Sequence, residues 1–468
     1  MLFNSLIFLI FLPCVFVIYW LLKPTWRNLF LLIASYYFYF SYNPLFLLLL
    51  IGTSALDYYI AKLISQSQNQ KTRKAFLLCS LIANIGVLFI FKYFIFFYNT
   101  GLSLFSGNPH FLSNIIIPAG LSFYTFQSIS YTMDVYRNKY KADDTLTDFL
   151  LYVSFFPHMV AGPIVRYNSL MPQLKIVQYV QAIDWGAFVK LTVWGYFKKM
   201  VIADNLSSIV TPVFNDVDHY SGSTLLVAGL LFVVQVYADF SGYSDIATGV
   251  AKLFGINLSL NWRRPLFSKS LHEFWTRNHI SITTWFRDYL YIGLGGNRVS
   301  YQRWLLNIFL VFLISGLWHG ANFTFLVWGS MHGLFFIIET LLFRKFPNLK
   351  APKFIGWLYL MSFHTLSLIA FRALSMHDLG HIYLKIFTLF NPGNLLTELT
   401  QITSLFFITV CGLLTVLLFL KEANEEYAIL NRIKGFENIY KPAFFILILV
   451  SIFLLGNFNA NQFIYFQF

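Results

Sequence analysis

Apolar runs of about 20 residues, the length that crosses a bilayer, recur from one end of the chain to the other. In the first third they lie near 2–22, 29–43, 44–64, 75–98 and 113–136. Two more fall at 181–203 and 223–256, a long one fills Trp304–Leu342, and the rest lie near 354–372, 402–420 and 443–459. The pattern predicts an all-α polytopic membrane protein with about eleven crossings, a number that depends on tilt and half-helices. The polar breaks are short, Ser65–Lys74 among the longest. The chain therefore reads as one integrated transmembrane domain, 1–468, with N-terminal helices over 1–148, a central core over 149–342 and C-terminal helices over 343–468.

Three stretches depart from this rhythm. FFPHMVAGPIVRYN is apolar but interrupted by Pro157, Gly162 and Pro163, and it carries His158 and Arg166. It is either a Pro-kinked helix end or non-helical backbone, which is tolerated at membrane depth only when buried in protein or lining a cavity. QVYADFSGYSDIATG embeds Asp239 and Asp245 among Ser241, Tyr243 and Ser244. That is a polar path or, the reading favoured here, a helix break with satisfied carboxylates. The segment Asn257–Arg303 is too polar to span. Within it Trp275, His279, Ile282, Phe286 and Tyr289 recur at three- and four-residue steps, with Arg277, Ser281, Thr284 and Asp288 on another face. The spacing predicts an amphipathic helix at a membrane surface or cavity wall, ended by Gly293–Gly296.

Composition supports the same class. Hydrophobic residues make up 57% of the chain and charged ones 11%, against about 25% charged in soluble domains. The net charge of +13 would suggest nucleic acid in a soluble protein. Here the basic residues flank apolar spans, where they set topology and meet lipid headgroups, so no nucleic acid is expected. Lys23 and Arg27, then Lys71, Arg73 and Lys74, then Arg137, Lys139 and Lys141 follow alternate spans, and Gly101–Ser113 has no Lys or Arg. The N-terminus is thus expected outside the cytoplasm. No positive residue precedes the first span, which reads as a retained helix rather than a cleaved signal. Cys14, Cys79 and Cys411 lie in apolar runs without CxxC or Cys/His clusters, so neither a disulfide nor a metal is expected.

Candidate chemistry gathers between Arg263 and His332. His319 stands between Trp318 and Gly320, in a span where ionisable groups are costly and default to a functional hypothesis. Gly316 and Gly320 bracket it in a GxxxG, and Gly329 and Gly333 form a second beside His332. Such glycines either let helices approach closely or leave room for a ligand at the imidazole. A neutral buried imidazole can take a proton from a hydroxyl or thiol as a general base. On one straight helix His332 would lie roughly 20 Å from His319 and on another face, so either the helix breaks or a second histidine comes from elsewhere, and His279 is the better candidate. His272 and Glu273 do not open an HExxH zinc motif, because position 276 is Thr, and GLGGN lacks the Lys-Ser/Thr of a phosphate loop. Arg263, Arg264, Lys269, Arg277 and Arg287 suit either a phosphate-rich donor or lipid headgroups.

These residues sit in long strings: FFPHMVAGPIVR, YADFSGYSDIATGVAKLFGI, NWRRPLFSKSLHEFWTRNHISITTWFRDYLYIGLGGNR, SGLWHGANFTFLVWGSMHG and the final FIYFQF. Together they resemble the membrane-bound O-acyltransferase (MBOAT) family, in particular its bacterial alginate and peptidoglycan O-acetyltransferase branch. Asn278 stands where many members carry Trp, and Gly293 where Pro is common. The resemblance implies an MBOAT-type helical bundle with re-entrant and amphipathic helices, in which an inner and an outer funnel meet at a histidine. It implies His319 as the catalytic histidine and His279 as the second. Trp318, Asn322, Arg263, Arg264, Arg277, Trp275 and Asp245 are then the substrate-binding candidates. No permanently bound cofactor is implied; acetyl-CoA is the donor. The expected partners are membrane lipid, an envelope polysaccharide acceptor and a periplasmic acetyltransferase or esterase-like protein. The expected location is the bacterial inner membrane. Teichoic-acid D-alanylation within the family, a lipid-linked sugar flippase and a non-catalytic scaffold are the rival readings.

Overall fold

The structure, a computed structural model, describes residues 1–105, 116–142, 144–347, 352–429 and 437–458. Most of the Gly101–Ser113 loop and the C-terminal FIYFQF lie outside the described residues. Helices are the only regular secondary structure among the described residues, which include no strand. They cluster into two compact units interleaved in sequence, Met1–Thr192 with Ile246–Leu260, and Val193–Asp245 with Asn261–Phe468.

The first unit opens with α1 (Leu6–Leu21), α2 (Pro24–Phe40), α3 (Pro44–Gln66) and α4 (Gln70–Leu88). Each boundary is chemically marked. Ser5, Asn43 and Asn69 accept backbone N–H bonds at the starts of α1, α3 and α4, and proline opens α2 and α3. A π-helical turn leads into α5 (Phe94–Phe105), followed by α6 (Leu121–Tyr136). α6 carries a hydroxyl-rich sequence yet is almost wholly buried, against α3 and α4. Polar groups are satisfied inside this unit: Asp57 on α3 accepts Ser80 Oγ at 2.6 Å and Asn84 Nδ2 at 2.8 Å. α7 (Leu146–Ser154), the single turn α8 (Phe156–Met159) and α9 (Tyr167–Lys175) follow. Between α8 and α9 the chain is non-helical and buried, and His158 Nδ1 lies 3.0 Å from Gln127 Nε2. Of the two readings of this stretch, backbone buried in protein is the one adopted.

In the second unit α10 (Trp185–Tyr196), whose first turns belong to the first unit, runs through a π-helical turn, Phe197–Ala203, into α11 (Asp204–Asn215). α12 (Gly222–Lys252) is continuous, so the expected helix break around Asp239 does not occur. The carboxylates are instead neutralised in place. Lys199 reaches Asp239 at 2.6 Å and Asp204 at 2.9 Å, and Lys198 reaches Asp245 at 2.7 Å. Gly242 permits this approach, since a Cβ there would stand 2.8 Å from the Gly195 carbonyl.

The predicted amphipathic helix is also corrected. It is two short helices, α13 (Leu271–Arg277) and α14 (Ile280–Trp285), followed by a π-helical turn at Phe286–Tyr291. α15 (Tyr301–His319) and α16 (Phe323–Lys345) follow as an extensively paired hairpin, then α17 (Lys353–Arg372) and α18 (Met376–Thr388). α19 (Leu395–Ile402), α20 (Leu405–Tyr427) and α21 (Glu437–Leu455) complete the described chain.

Among the described residues seven helices are long and apolar enough to cross a membrane, with Leu6–Leu21 and Tyr440–Leu455 as shorter apolar helices. The sequence pattern led to an expectation of about eleven crossings, against these seven long and two shorter apolar helices among the described residues. A helix of 16 residues such as α1 rises about 24 Å, short of a hydrocarbon core of about 30 Å. α6, at the expected fifth crossing, has the same length and is laced with hydroxyls. The protein is a multi-pass membrane protein.

Candidate active site

His319 is the last residue of α15. The chain then turns through Gly320, whose backbone is extended at φ −169°, and Asn322 caps α16 by accepting the Thr324 N–H at 3.2 Å. Glycines hold the hairpin close. A Cβ on Gly316 would collide with the Phe325 carbonyl, and one on Gly329 would stand 2.5 Å from the Phe312 carbonyl. The His319 ring is boxed edge-on by Trp328 and Phe371, both with centroids at 5.0 Å, and by Trp318 at 4.7 Å.

The reversal removes the straight-helix geometry expected for His332. Its ring lies 4.7 Å from that of Trp328, the residue that also touches His319. His332 is nevertheless fully buried, with Nε2 3.2 Å from Ser367 Oγ and with Trp275 and Phe363 packed around it. It takes no part in the cavity wall.

His279 owes its position to the break between α13 and α14. Its φ of 43° is left-handed, uncommon for a side chain larger than glycine. Asn261 fixes the turn: its carbonyl accepts the Ile280 N–H at 2.8 Å and its Oδ1 the Ser281 N–H at 3.0 Å. The ring packs against Trp262 at 5.3 Å and Phe240 at 6.1 Å, and burial pushes its pKa down to about 3, so it is a neutral imidazole.

A cavity of about 620 Å³ joins these groups. His319, His279, Trp262, Trp275, Trp328 and Phe371 are in its wall. Of the nine sequence candidates, the structure brings His319, His279 and Trp275 to the cavity. The other six lie elsewhere. Trp318 is buried behind His319 against Phe286. Asn322 is a helix cap that also donates to the Leu374 carbonyl at 2.9 Å. Asp245 is the ion partner of Lys198. Arg263 is exposed, while Arg264 and Arg277 converge on Glu426 at 2.9 and 2.8 Å. Arg264 and Arg277, two of the five basic residues, are therefore spent on an acid of α20, while Arg287 reaches the wall, beside Asp288.

Sequence reasoning missed His364, which enters the wall from α17, and the pair His272 and Thr340. His364 sits in an apolar run with no glycine or charge beside it to draw attention. His272 carries no signal in the sequence beyond a failed zinc motif, because its partner carboxylate, Glu339, lies on another helix. Among the described residues no group of three or more His, Cys, Asp or Glu is placed to hold a metal.

Four imidazoles, those of His272, His279, His319 and His364, thus stand in the wall of one aromatic cavity within a bundle of apolar helices. The family model of the membrane-bound O-acyltransferases matches residues 143–376, and the chain belongs to that family; it is an O-acyltransferase. It is 38% identical over 396 residues to the probable alginate O-acetylase AlgI of Pseudomonas aeruginosa, covering 83% of this chain and 75% of that one. It is 34% identical over 415 residues to the peptidoglycan O-acetyltransferase of Helicobacter pylori, with 81% and 78% covered. A teichoic acid D-alanyltransferase of Bacillus subtilis is 27% identical over 281 residues, with 57% and 68% covered.

Proposed function

We propose that this enzyme moves acetyl groups from cytoplasmic acetyl-CoA across the bacterial inner membrane for O-acetylation of an envelope polysaccharide. Peptidoglycan is the first choice of acceptor and an alginate-like exopolysaccharide the second. A periplasmic esterase-like partner completes the transfer. The positive-inside pattern supports an N-terminus on the outer side. The observation that carries the reading is the placement of His319 and His279 on one cavity. The relatives' names support acetyl transfer to a polysaccharide, and the D-alanyltransferase resemblance covers less of the chain.

In this reading His319 takes the proton of the attacking hydroxyl as general base, or carries the acetyl group itself as an N-acyl imidazole, and His279 positions donor or acceptor. His319→Ala, inserted and folded, is expected to lower polysaccharide acetylation by on the order of 10²–10⁴-fold. The measurement is radiolabelled acetyl transfer, with the acceptor identified by mass spectrometry of released muropeptides and exopolysaccharide. Full transfer by His319→Ala removes the assignment.

A further inference from the structure

One set of cavity residues is left over by this mechanism. His272, in the first turn of α13, directs Nδ1 to Glu339 Oε1 at 2.7 Å and Nε2 to Thr340 Oγ1 at 3.0 Å. Glu339 is held rigidly: its carboxylate also accepts the Leu271 and His272 backbone N–H groups at 2.8 and 3.0 Å. Its oxygen fixes the imidazole as the Nδ1–H tautomer and leaves the Nε2 lone pair facing the hydroxyl. The ring is stacked on Phe336 at 3.9 Å. His272, Phe336 and Thr340 all line the cavity, whereas Glu339 is buried behind them. A hydroxyl on an imidazole that is itself oriented by a buried carboxylate is the arrangement of an activated nucleophile.

The set lies far from His319. Thr340 is twelve residues along α16 from Trp328, the residue that touches His319, which is about 18 Å of helix rise. It stands near Arg344 and Lys345, at the basic end of α16.

We propose that Thr340, His272 and Glu339 form a second acyl-transfer centre, which cleaves an acyl thioester independently of His319. The inference rests on the reading that an acetyl thioester is the donor. Thr340 Oγ1 attacks the thioester carbonyl carbon while its proton passes to His272 Nε2. The C–S bond breaks, and the sulfur takes that proton and leaves as the free thiol, giving acetyl-Thr340. Water then attacks the ester with His272 again as base, the C–O bond to Thr340 breaks, the proton returns to Oγ1, and acetate departs. The net reaction is thioester plus water to thiol plus acetic acid. At rest the hydroxyl has a second acceptor, the Phe336 carbonyl at 2.7 Å, so attack requires it to turn to Nε2.

The test uses the full chain in nanodiscs with acetyl-labelled acetyl-CoA, following acetate release without acceptor and polysaccharide acetylation with it. The expected result is acetate release by the wild type that survives in His319→Ala while polysaccharide acetylation is lost. Thr340→Val and His272→Ala should each lower acetate release about a hundredfold, Thr340→Ser should restore it, and peptide mass spectrometry should find an acetyl ester on Thr340. Because Glu339 also anchors α13, Glu339→Gln is judged only alongside unaltered thermal unfolding. Acetate release that is lost in His319→Ala and unchanged in Thr340→Val overturns the inference. So does polysaccharide acetylation by the wild type without acetate release, which leaves the function proposed above standing. Neither reaction from acetyl-CoA overturns both.

Discussion

At the scale of single residues the two histidines differ in how they are held. His279 needs a left-handed backbone and a buried, uncharged ring. Asn tolerates that backbone and β-branched residues do not, so His279→Asn should fold while His279→Val loses about 1–3 kcal/mol more, as read by thermal unfolding in detergent. The same burial makes stability depend on pH. The ring's proton affinity falls from an ordinary 6.5 to about 3 in the folded state, so the unfolded chain takes the proton first. The ring's contribution is complete above about pH 6.5 and is lost as pH falls from there toward 3. The melting temperature should therefore drop between pH 7 and 5, and drop less in His279→Asn. His319 was legible because Trp and Gly flank an ionisable residue in a greasy run. The left-handed turn at His279 was not, because both halves of the broken helix present the same apolar face, so a three- and four-residue rhythm runs straight across the break.

At the scale of elements the site is the product of one hairpin. α15 and α16 interlock through Gly316 and Gly329, each against a carbonyl of the other helix. A methyl added at either must part the helices, which overpacking data place at about 1–3 kcal/mol. Gly316→Ala and Gly329→Ala should lower the melting temperature and weaken acetyl transfer together, since the hairpin sets the His319 ring against Trp328. A melting point lowered with transfer intact would show that the hairpin tolerates separation. The GxxxG spacing was readable. The reversal between His319 and Phe323 was not, because Gly320, Ala321 and Asn322 are too few and too mildly polar to look like a loop, and only the Asn322 cap marks it. With the helix broken there, Trp328 touches the rings of both His319 and His332.

At the scale of the whole molecule the sequence conveyed an all-helical membrane bundle, since hydrocarbon admits little else, and seven of the described helices are long and apolar enough to span, beside the about eleven crossings expected. Apolar content alone does not distinguish a spanning helix from a short one such as α1 or a buried, hydroxyl-rich one such as α6. It also left open how Asp239 and Asp245 are neutralised, because Lys198 and Lys199 lie about forty residues earlier and reach them from a π-helical turn. Breaking a buried ion group by removing one partner costs about 3–5 kcal/mol. Lys199→Met, which strands Asp204 and Asp239 together, should cut the yield of folded protein sharply, and pairing it with Asp239→Asn should recover part; fluorescence-detected size exclusion would measure both. The height of the cavity has an electrical consequence. From Trp328 to Thr340 it runs beside about 18 Å of α16, out of a hydrocarbon layer of about 30 Å. Filled with water and aligned with the membrane normal, a cavity of that height would leave about 12 Å of insulator. The membrane voltage, about 2.3 kcal/mol per charge for every 100 mV, would then fall largely across that partition, and a charged group crossing it would feel most of the potential within about 12 Å.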